Sequence, residues 1–309
     1  MSRRIDLHYH VIPPEYVAAL AAKGIHGHTF AKFPPWSVER ALGDLDDGEV
    51  PAAVTSLSTP GVQFGDPVLG RRLARLCNEF QARMIADHPE RFGAFGFLPL
   101  PDVAGALAEL EYALDVLALD GVALLTNVED RYLGDPGQEE LFAELDRRGA
   151  VVLVHPHAEP APGQEVSQPL LEWPVHATRA VLNLLHRGHL ARFPNVSFIL
   201  AHGGGIVPYL VHRVVTGLPG ERRPEVSREL DLLRTLYYDT GLHAEAHLAA
   251  LRTFVGASRI VFGTDGGWSS RHQTAAALRA LLAYDGFDRA RLTAIERGNA
   301  LALLPRFAK

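Results

Sequence analysis

Ile5-Asp6-Leu7-His8-Tyr9-His10 is a short, largely apolar run carrying two histidines one residue apart, and it is the first of eight such runs in a chain of 309 residues. The others are Ala52–Leu57, Phe92–Leu98, Val122–Thr126, Val151–His155, Ser197–His202, Leu236–Thr240 and Ile260–Thr264. Their apolar character is nearly continuous rather than alternating, which is what strands of a parallel sheet covered on both faces show. Between them lie segments of helical periodicity: Pro67–Asp87, Val103–Leu119, Glu139–Arg148, Thr178–Arg192, Glu245–Val255 and Gln273–Tyr284. Asp102 stands where an N-cap is needed and Gly149 where a C-cap is needed. Eight βα units, without a Gly/Ser linker or a compositional break, predict an α/β fold, a (β/α)₈ barrel forming one domain over 1–309. The alternative is a doubly wound open sheet. That fold normally brings a glycine-rich phosphate loop after its first strand, where this chain has Val11-Ile12-Pro13-Pro14.

The composition, 47% hydrophobic and 21% charged, is that of an ordinary globular protein. Thirty Lys and Arg against 36 Asp and Glu give a net charge of −6, with no run of like charges, which argues against a nucleic-acid partner. A single cysteine, Cys77, excludes an intramolecular disulfide. Met1-Ser2-Arg3-Arg4 leads into the first strand without an apolar signal region, and no apolar stretch approaches the roughly 18 residues of a membrane span. The expectation is a cytoplasmic protein with no membrane partner. The segment Ala158–Pro174 is long for a structureless connection and reads as a lid or a subunit contact.

Active sites of such barrels lie at the C-terminal ends of the strands. Strand one ends in His8 and His10, which alternation places on one inward face. Strand five ends in His155, strand six in His202-Gly203-Gly204-Gly205, and strand eight in Thr264-Asp265. A lone strand histidine is more often a core residue than a ligand. A His-x-His pair together with a buried aspartate is costly unless paired or bound to an ion, so these strand ends read as a metal site. Imidazoles with a carboxylate suit a borderline divalent ion, Zn²⁺ first, with Mn²⁺ or Fe²⁺ as alternatives. Asp239, ending strand seven, is a candidate to hydrogen-bond a ligand histidine or to close the barrel.

Asp6-Leu7-His8-Tyr9-His10, Val154-His155-Pro156, Leu200-Ala201-His202-Gly203-Gly204-Gly205, Tyr238-Asp239-Thr240 and Phe262-Gly263-Thr264-Asp265 resemble the motifs of the amidohydrolase superfamily. Ser56–Val62, Phe97–Pro101, Thr178–Leu185 and Gly298-Asn299-Ala300 are also similar to the branch containing aminocarboxymuconate semialdehyde, γ-resorcylate and 6-methylsalicylate decarboxylases. The resemblance covers essentially the whole chain, and the 6-methylsalicylate decarboxylase type is nearest. It implies a distorted (β/α)₈ barrel with a mononuclear metal at its C-terminal mouth, held by His8, His10, His155 and Asp265, with His202 catalytic and Asp265 also the proton donor. It implies no organic cofactor. The run Gly121–Asn127 carries no lysine to bridge two ions, which disfavours a binuclear hydrolase. Arg213 corresponds to an arginine that, in the family, reaches the substrate carboxylate of a neighbouring subunit, so the active unit would be a homodimer or higher oligomer. A helix-surface arginine is the plain reading of the same residue.

Two departures bear on the substrate. Gly266-Gly267-Trp268 replaces the usual aromatic and proline after Asp265, which makes Trp268 a candidate substrate wall. Lys23–Trp36 lacks an arginine, which argues against the muconate semialdehyde. His157, His176 and His243 read as local hydrogen-bonding residues. The expected activity is a metal-dependent, non-oxidative decarboxylation of a small aromatic or related unsaturated carboxylic acid. A hydrolase or hydratase acting on a lactone, ester or activated double bond is the alternative, and a barrel with a purely structural metal is a third reading.

Overall fold

The computed structural model describes residues 4–28, 31–158, 166–217, 228–241 and 245–308. Strands β1 (Ile5–His10), β2 (Ala52–Ser56), β3 (Phe92–Phe97), β4 (Gly121–Leu125), β5 (Val151–His155), β6 (Ser197–Leu200), β7 (Tyr237–Asp239) and β8 (Ile260–Val261) pair in chain order in one parallel sheet. Backbone bonds then close the sheet on itself: Leu7 N–H donates to Phe262 O (2.9 Å), Asp265 N–H to His8 O (2.8 Å) and His10 N–H to Gly266 O (2.7 Å). The last strand therefore meets the first, which makes a (β/α)₈ barrel and excludes the open sheet.

Alternate residues of each strand fall into two buried sets. Val54, Phe95, Ala123, Leu153, Ile199 and Val261 pack in the barrel interior. Ala53, Val122, Val152, Phe198, Tyr238 and Ile260 pack outward under the helices. Both faces being buried is the reason the strands read as continuous apolar runs.

Helices Pro67–Asp87, Glu139–Arg148 and Glu245–Val255 have the bounds that periodicity predicts. Asp102 accepts from Gly105 N–H as an N-cap, and Gly149 ends its helix in the left-handed region at φ 59°. Thr178–Arg192 is not one helix. It divides into Glu172–His186 and His189–Arg192 because Gly188 takes φ 76° between them. Val103–Leu119 is α-helical only to Glu111, followed by a π-turn at Tyr112–Val116.

Strand β1 carries the irregularity that matters most. Ile5 and Asp6 pair with Ala52 and Ala53, but Tyr9 and His10 pair with Thr55 and Ser56, so β1 holds one residue more than its partner. Leu7 stays in the interior set, while Tyr9 belongs to the outer one. The bulge frees the His8 N–H from the ladder, and Asp6 Oδ1 takes it at 2.9 Å. The same carboxylate accepts Thr264 N–H (3.1 Å) and Thr264 Oγ1–H (2.5 Å), tying the bulge to the residue before Asp265.

His189 is buried against the rings of Phe142 and Phe193, and neither ring nitrogen has a hydrogen-bond partner among the described residues. Burial holds it below the usual 6.5, so the folded protein binds its proton less well than the unfolded chain does. This contribution to stability is complete above 6.5 and is lost as the pH falls through that value. Between pH 7 and 5, wild type is expected to lose about 1 kcal/mol more stability than His189→Leu. Parallel denaturation curves at the two pH values would exclude this account.

Candidate metal centre

Four strand ends bring five side chains together at one mouth. His8 and His10 come from β1, His155 ends β5, His202 follows β6 and Asp265 follows β8. His10 Nε2 lies 3.1 Å from His8 Nε2 and 3.0 Å from Asp265 Oδ1. Asp265 Oδ1 is 3.2 Å from His8 Nε2 and 4.0 Å from His155 Nε2. One donor atom from each of His8, His155, His202 and Asp265 lies within 4.8 Å of all the others. Four of the five side chains are buried, and His202 is half-buried.

Contacts behind the rings set their tautomers. His8 Nδ1 lies 2.5 Å from Asp239 Oδ2, His10 Nδ1 3.3 Å from Ser56 O and His155 Nδ1 2.8 Å from Pro156 O. All three partners are acceptors, so each Nδ1 carries a hydrogen and each Nε2 is the atom turned to the centre. Asp239 Oδ1 also accepts Gly203 N–H (3.1 Å) and Gly241 N–H (2.9 Å). One carboxylate thus orients His8 and anchors the turn carrying His202. Ser269 Oγ–H donates to the second oxygen of Asp265 at 2.7 Å.

Two of the five depart from strand geometry. His202 has φ 51° and Asp265 has φ 58°, both in the left-handed region that side chains avoid unless neighbouring structure imposes it. His202 therefore sits in a tight turn rather than on β6. Gly205 lets that turn approach the helix Glu172–His186, since a Cβ there would lie 2.3 Å from Pro174 O.

The charges are arranged for a cation. Burial alone would depress His8, but Asp239 and Asp265 outweigh it and raise the ring to about 10, so the two carboxylates hold a positive charge at the centre and a bound ion would take the place of the His8 Nε2 proton. Burial keeps His10, His155 and His202 below 6.5, uncharged and with lone pairs available. Burial opposes ionisation of Asp265 as well, yet hydrogen bonds from His10 and His8 hold its carboxyl well below the usual carboxylate range. The Nε2 atoms of His155 and His202 are buried without a hydrogen-bond partner among the described residues, an unfavourable state unless something binds them. Converging imidazole nitrogens with one carboxylate oxygen form the donor set of a borderline divalent ion, and the residues fit it.

Trp173 was not singled out by sequence reasoning. Its ring centroid lies 5.5 Å from that of His155 and 5.9 Å from that of His202, so it walls the histidines. It arrives on a helix start after a long loop, with no strand-end signal to mark it. Trp268 is half-buried and packs on Phe33 at 5.7 Å. His28, from the hairpin pairing Gly27–His28 with Ala31–Lys32, lies 6.0 Å from the ring of His157 and 6.4 Å from Trp173. His157 Nδ1 is 2.8 Å from Thr59 Oγ1, and His176 Nδ1 is 2.6 Å from Tyr132 Oη. His243 lies outside the described residues, as does 159–165 of the candidate lid. Arg213 is exposed on the helix Val207–Gly217.

Residues 5–306 match the amidohydrolase family. The chain belongs to that family. Among its curated relatives is a 6-methylsalicylic acid decarboxylase of Penicillium expansum, 34% identical, with 98% of this chain and 96% of the relative covered. A second 6-methylsalicylic acid decarboxylase, from Aspergillus aculeatus, is 36% identical over 85% of this chain and 83% of its own length. Among solved structures, one described as an amidohydrolase II superposes with a TM-score of 0.89 at 26% identity, covering 98% of this chain and 99% of the other. The family membership agrees with the closed eight-stranded barrel and with a His/Asp cluster at one end. Among the described residues, no helix is long and apolar enough to cross a membrane.

Proposed function

We propose that this chain is a metal-dependent carboxy-lyase that removes CO₂ from a small aromatic acid of the salicylate type. The observation that carries the reading is the five-residue cluster at the mouth, in a chain similar along nearly its whole length to 6-methylsalicylic acid decarboxylases. His8, His10, His155 and Asp265 hold one divalent ion, Zn²⁺ in the first instance and Mn²⁺ or Fe²⁺ otherwise. His202, half-buried where the others are buried, is left to handle a proton. When bound, the ion orients the substrate's carboxylate and its neighbouring hydroxyl and spreads their charge.

The protein side chains carry the remaining work. A proton is placed on the ring carbon bearing the carboxylate, the bond from that carbon to CO₂ breaks, and the released electron pair restores the aromatic ring. Substrate anion plus one proton gives a phenol plus CO₂. Asp265 delivers the proton, and because its carboxylate rests ionised it must be supplied first. His202, the one cluster member that is not fully buried, passes the proton on. Trp173 lines the face over His155 and His202 and limits water. Trp268 stands at the rim as a second aromatic wall. The protein works in the cytoplasm.

Arg213 reaches the substrate carboxylate in the neighbouring subunit of a homodimer, which accounts for an arginine exposed in its own chain. Arg213→Ala is expected to raise KM for a carboxylate substrate about ten-fold or more, with the fold intact. An unchanged KM returns it to the helix surface.

The reading is tested by incubating metal-replete protein with ortho-hydroxybenzoic acids, 6-methylsalicylate and γ-resorcylate included, while following ring absorbance and CO₂ together. Stoichiometric phenol and CO₂ are expected. No CO₂ from any member, with turnover of a lactone or ester panel, would make the protein a hydrolase.

A further inference from the structure

The barrel mouth has two unlike sides. β1, β5, β7 and β8 lead into His8, His10, His155, Asp239 and Asp265, whereas β2, β3 and β4 lead into Leu57, Phe97 and Leu125. The two sides meet in the β4–β5 ladder, where Leu125 pairs with His155 in register and alternation turns both side chains inward. On the apolar side a small pocket of about 40 Å³ opens over the ends of β3 and β4, with Phe97 and Leu125 in its wall. It is little larger than the share of liquid volume held by one water molecule, about 30 Å³.

Its lining decides what it can take. Val62, Phe97, Leu124, Leu125 and Val128 make it apolar. Gly61 passes close to it, where a Cβ would come within 2.9 Å of Leu125 Cδ1. Three polar residues border it, and none is a lysine or arginine. His157 Nδ1 is turned to Thr59 Oγ1 at 2.8 Å, and its backbone N–H donates to Thr126 Oγ1 at 3.0 Å. Gln63 is half-buried, with its Oε1 toward Gly70. Glu129 is exposed at the outer rim, where its negative charge opposes a second carboxylate.

We propose that this pocket receives a short alkyl group, a methyl or an ethyl, on the ring carbon next to the carboxylate and away from the hydroxyl. The inference rests on the decarboxylase reading for the orientation of the acid, and on the pocket for the substituent. A ring whose carboxylate and neighbouring hydroxyl face the His/Asp cluster turns another edge to the apolar side of the mouth. There an alkyl group gains from leaving water, while a hydroxyl would give up water for apolar walls. The chain therefore selects 6-alkylated acids over unsubstituted and 6-hydroxylated ones.

The test uses 3-methyl-2-nitrophenol, 2-nitrophenol and 2-nitroresorcinol, in which a nitro group stands for the carboxylate and the position in question bears methyl, hydrogen or hydroxyl. None can lose CO₂, so titration calorimetry of metal-loaded protein reads the pocket whether or not the chain is a decarboxylase. The methyl ligand should bind wild type about three- to five-fold tighter than 2-nitrophenol, the effect of one buried methyl group. Val128→Phe, which fills the pocket from its half-buried edge, should weaken the methyl ligand about five-fold or more relative to 2-nitrophenol, with a smaller loss for 2-nitroresorcinol and unchanged metal content. An equal loss for all three, or the largest loss on 2-nitroresorcinol, overturns the proposal. So does a methyl preference that survives removal of the ion by a chelator, which would place the ligand elsewhere. Should Val128→Phe fail to fold, the wild-type series decides, and a methyl ligand that binds no tighter than 2-nitrophenol overturns the proposal. Acids that release no CO₂ while these affinities hold would sink the decarboxylase reading and leave the pocket.

Discussion

His10→Ala protein is expected to emerge from purification without its metal, whereas His202→Ala keeps one ion per chain and loses turnover by about 10²- to 10⁴-fold. The geometry alone admits five donors, because His202 shares the 4.8 Å envelope with His8, His155 and Asp265 while His10 approaches at 3.0 Å and 3.1 Å. Burial and tautomer separate them. His10 is fully buried, with its Nδ1 facing Ser56 O and its Nε2 at the centre. His202 sits in a left-handed turn and is the one of the five that is not fully buried. Elemental analysis of the two variants, paired with single-turnover rates after metal is added back, separates a ligand from a proton carrier. Metal retained by His10→Ala and lost from His202→Ala would exchange the two roles.

Asp239→Asn is expected to weaken metal affinity by about 10- to 100-fold, although the side chain barely changes in volume. The aspartate accepts three N–H groups: His8 on one oxygen, Gly203 and Gly241 on the other. An asparagine has one oxygen, so its NH₂ must face at least one of these donors. If it faces His8, the ring turns to the other tautomer and its Nε2 lone pair is lost to the centre. If it faces the two glycines, the turn bearing His202 loses its anchor. Titration of the ion against a competing chelator reads the change, and wild-type affinity would make Asp239 a barrel-closing residue only.

Much of this site was legible because strand ends of a barrel have only one place to go. His155 and Asp265 could be assigned to the mouth from the apolar runs they terminate, and the family motifs pointed to the same residues. Alternation also put His8 and His10 on one face, though it offered no account of Asp6, which the same rule sends inward. The bulge between Asp6 and Tyr9 resolves this, and a one-residue insertion in a parallel ladder leaves no trace in composition or periodicity. His202 reads as the last residue of a strand, since only its φ of 51° reveals the turn. Trp173 was hidden for another reason, because its closeness to His155 depends on how a helix docks and not on anything within its own segment.

The seam that closes the barrel has a bearing on how the protein comes to be active. Asp6 bonds Thr264 across 258 positions of the chain, and His10 meets Asp265 across 255. Strand β1 must therefore wait for β8 before the centre is complete. Contacts of such span form late in folding, after the entropy of closing the loop between them has been overcome. A chain that ends before Asp265 lacks a member of the cluster, so a complete five-residue centre reports that the last strand has joined the first.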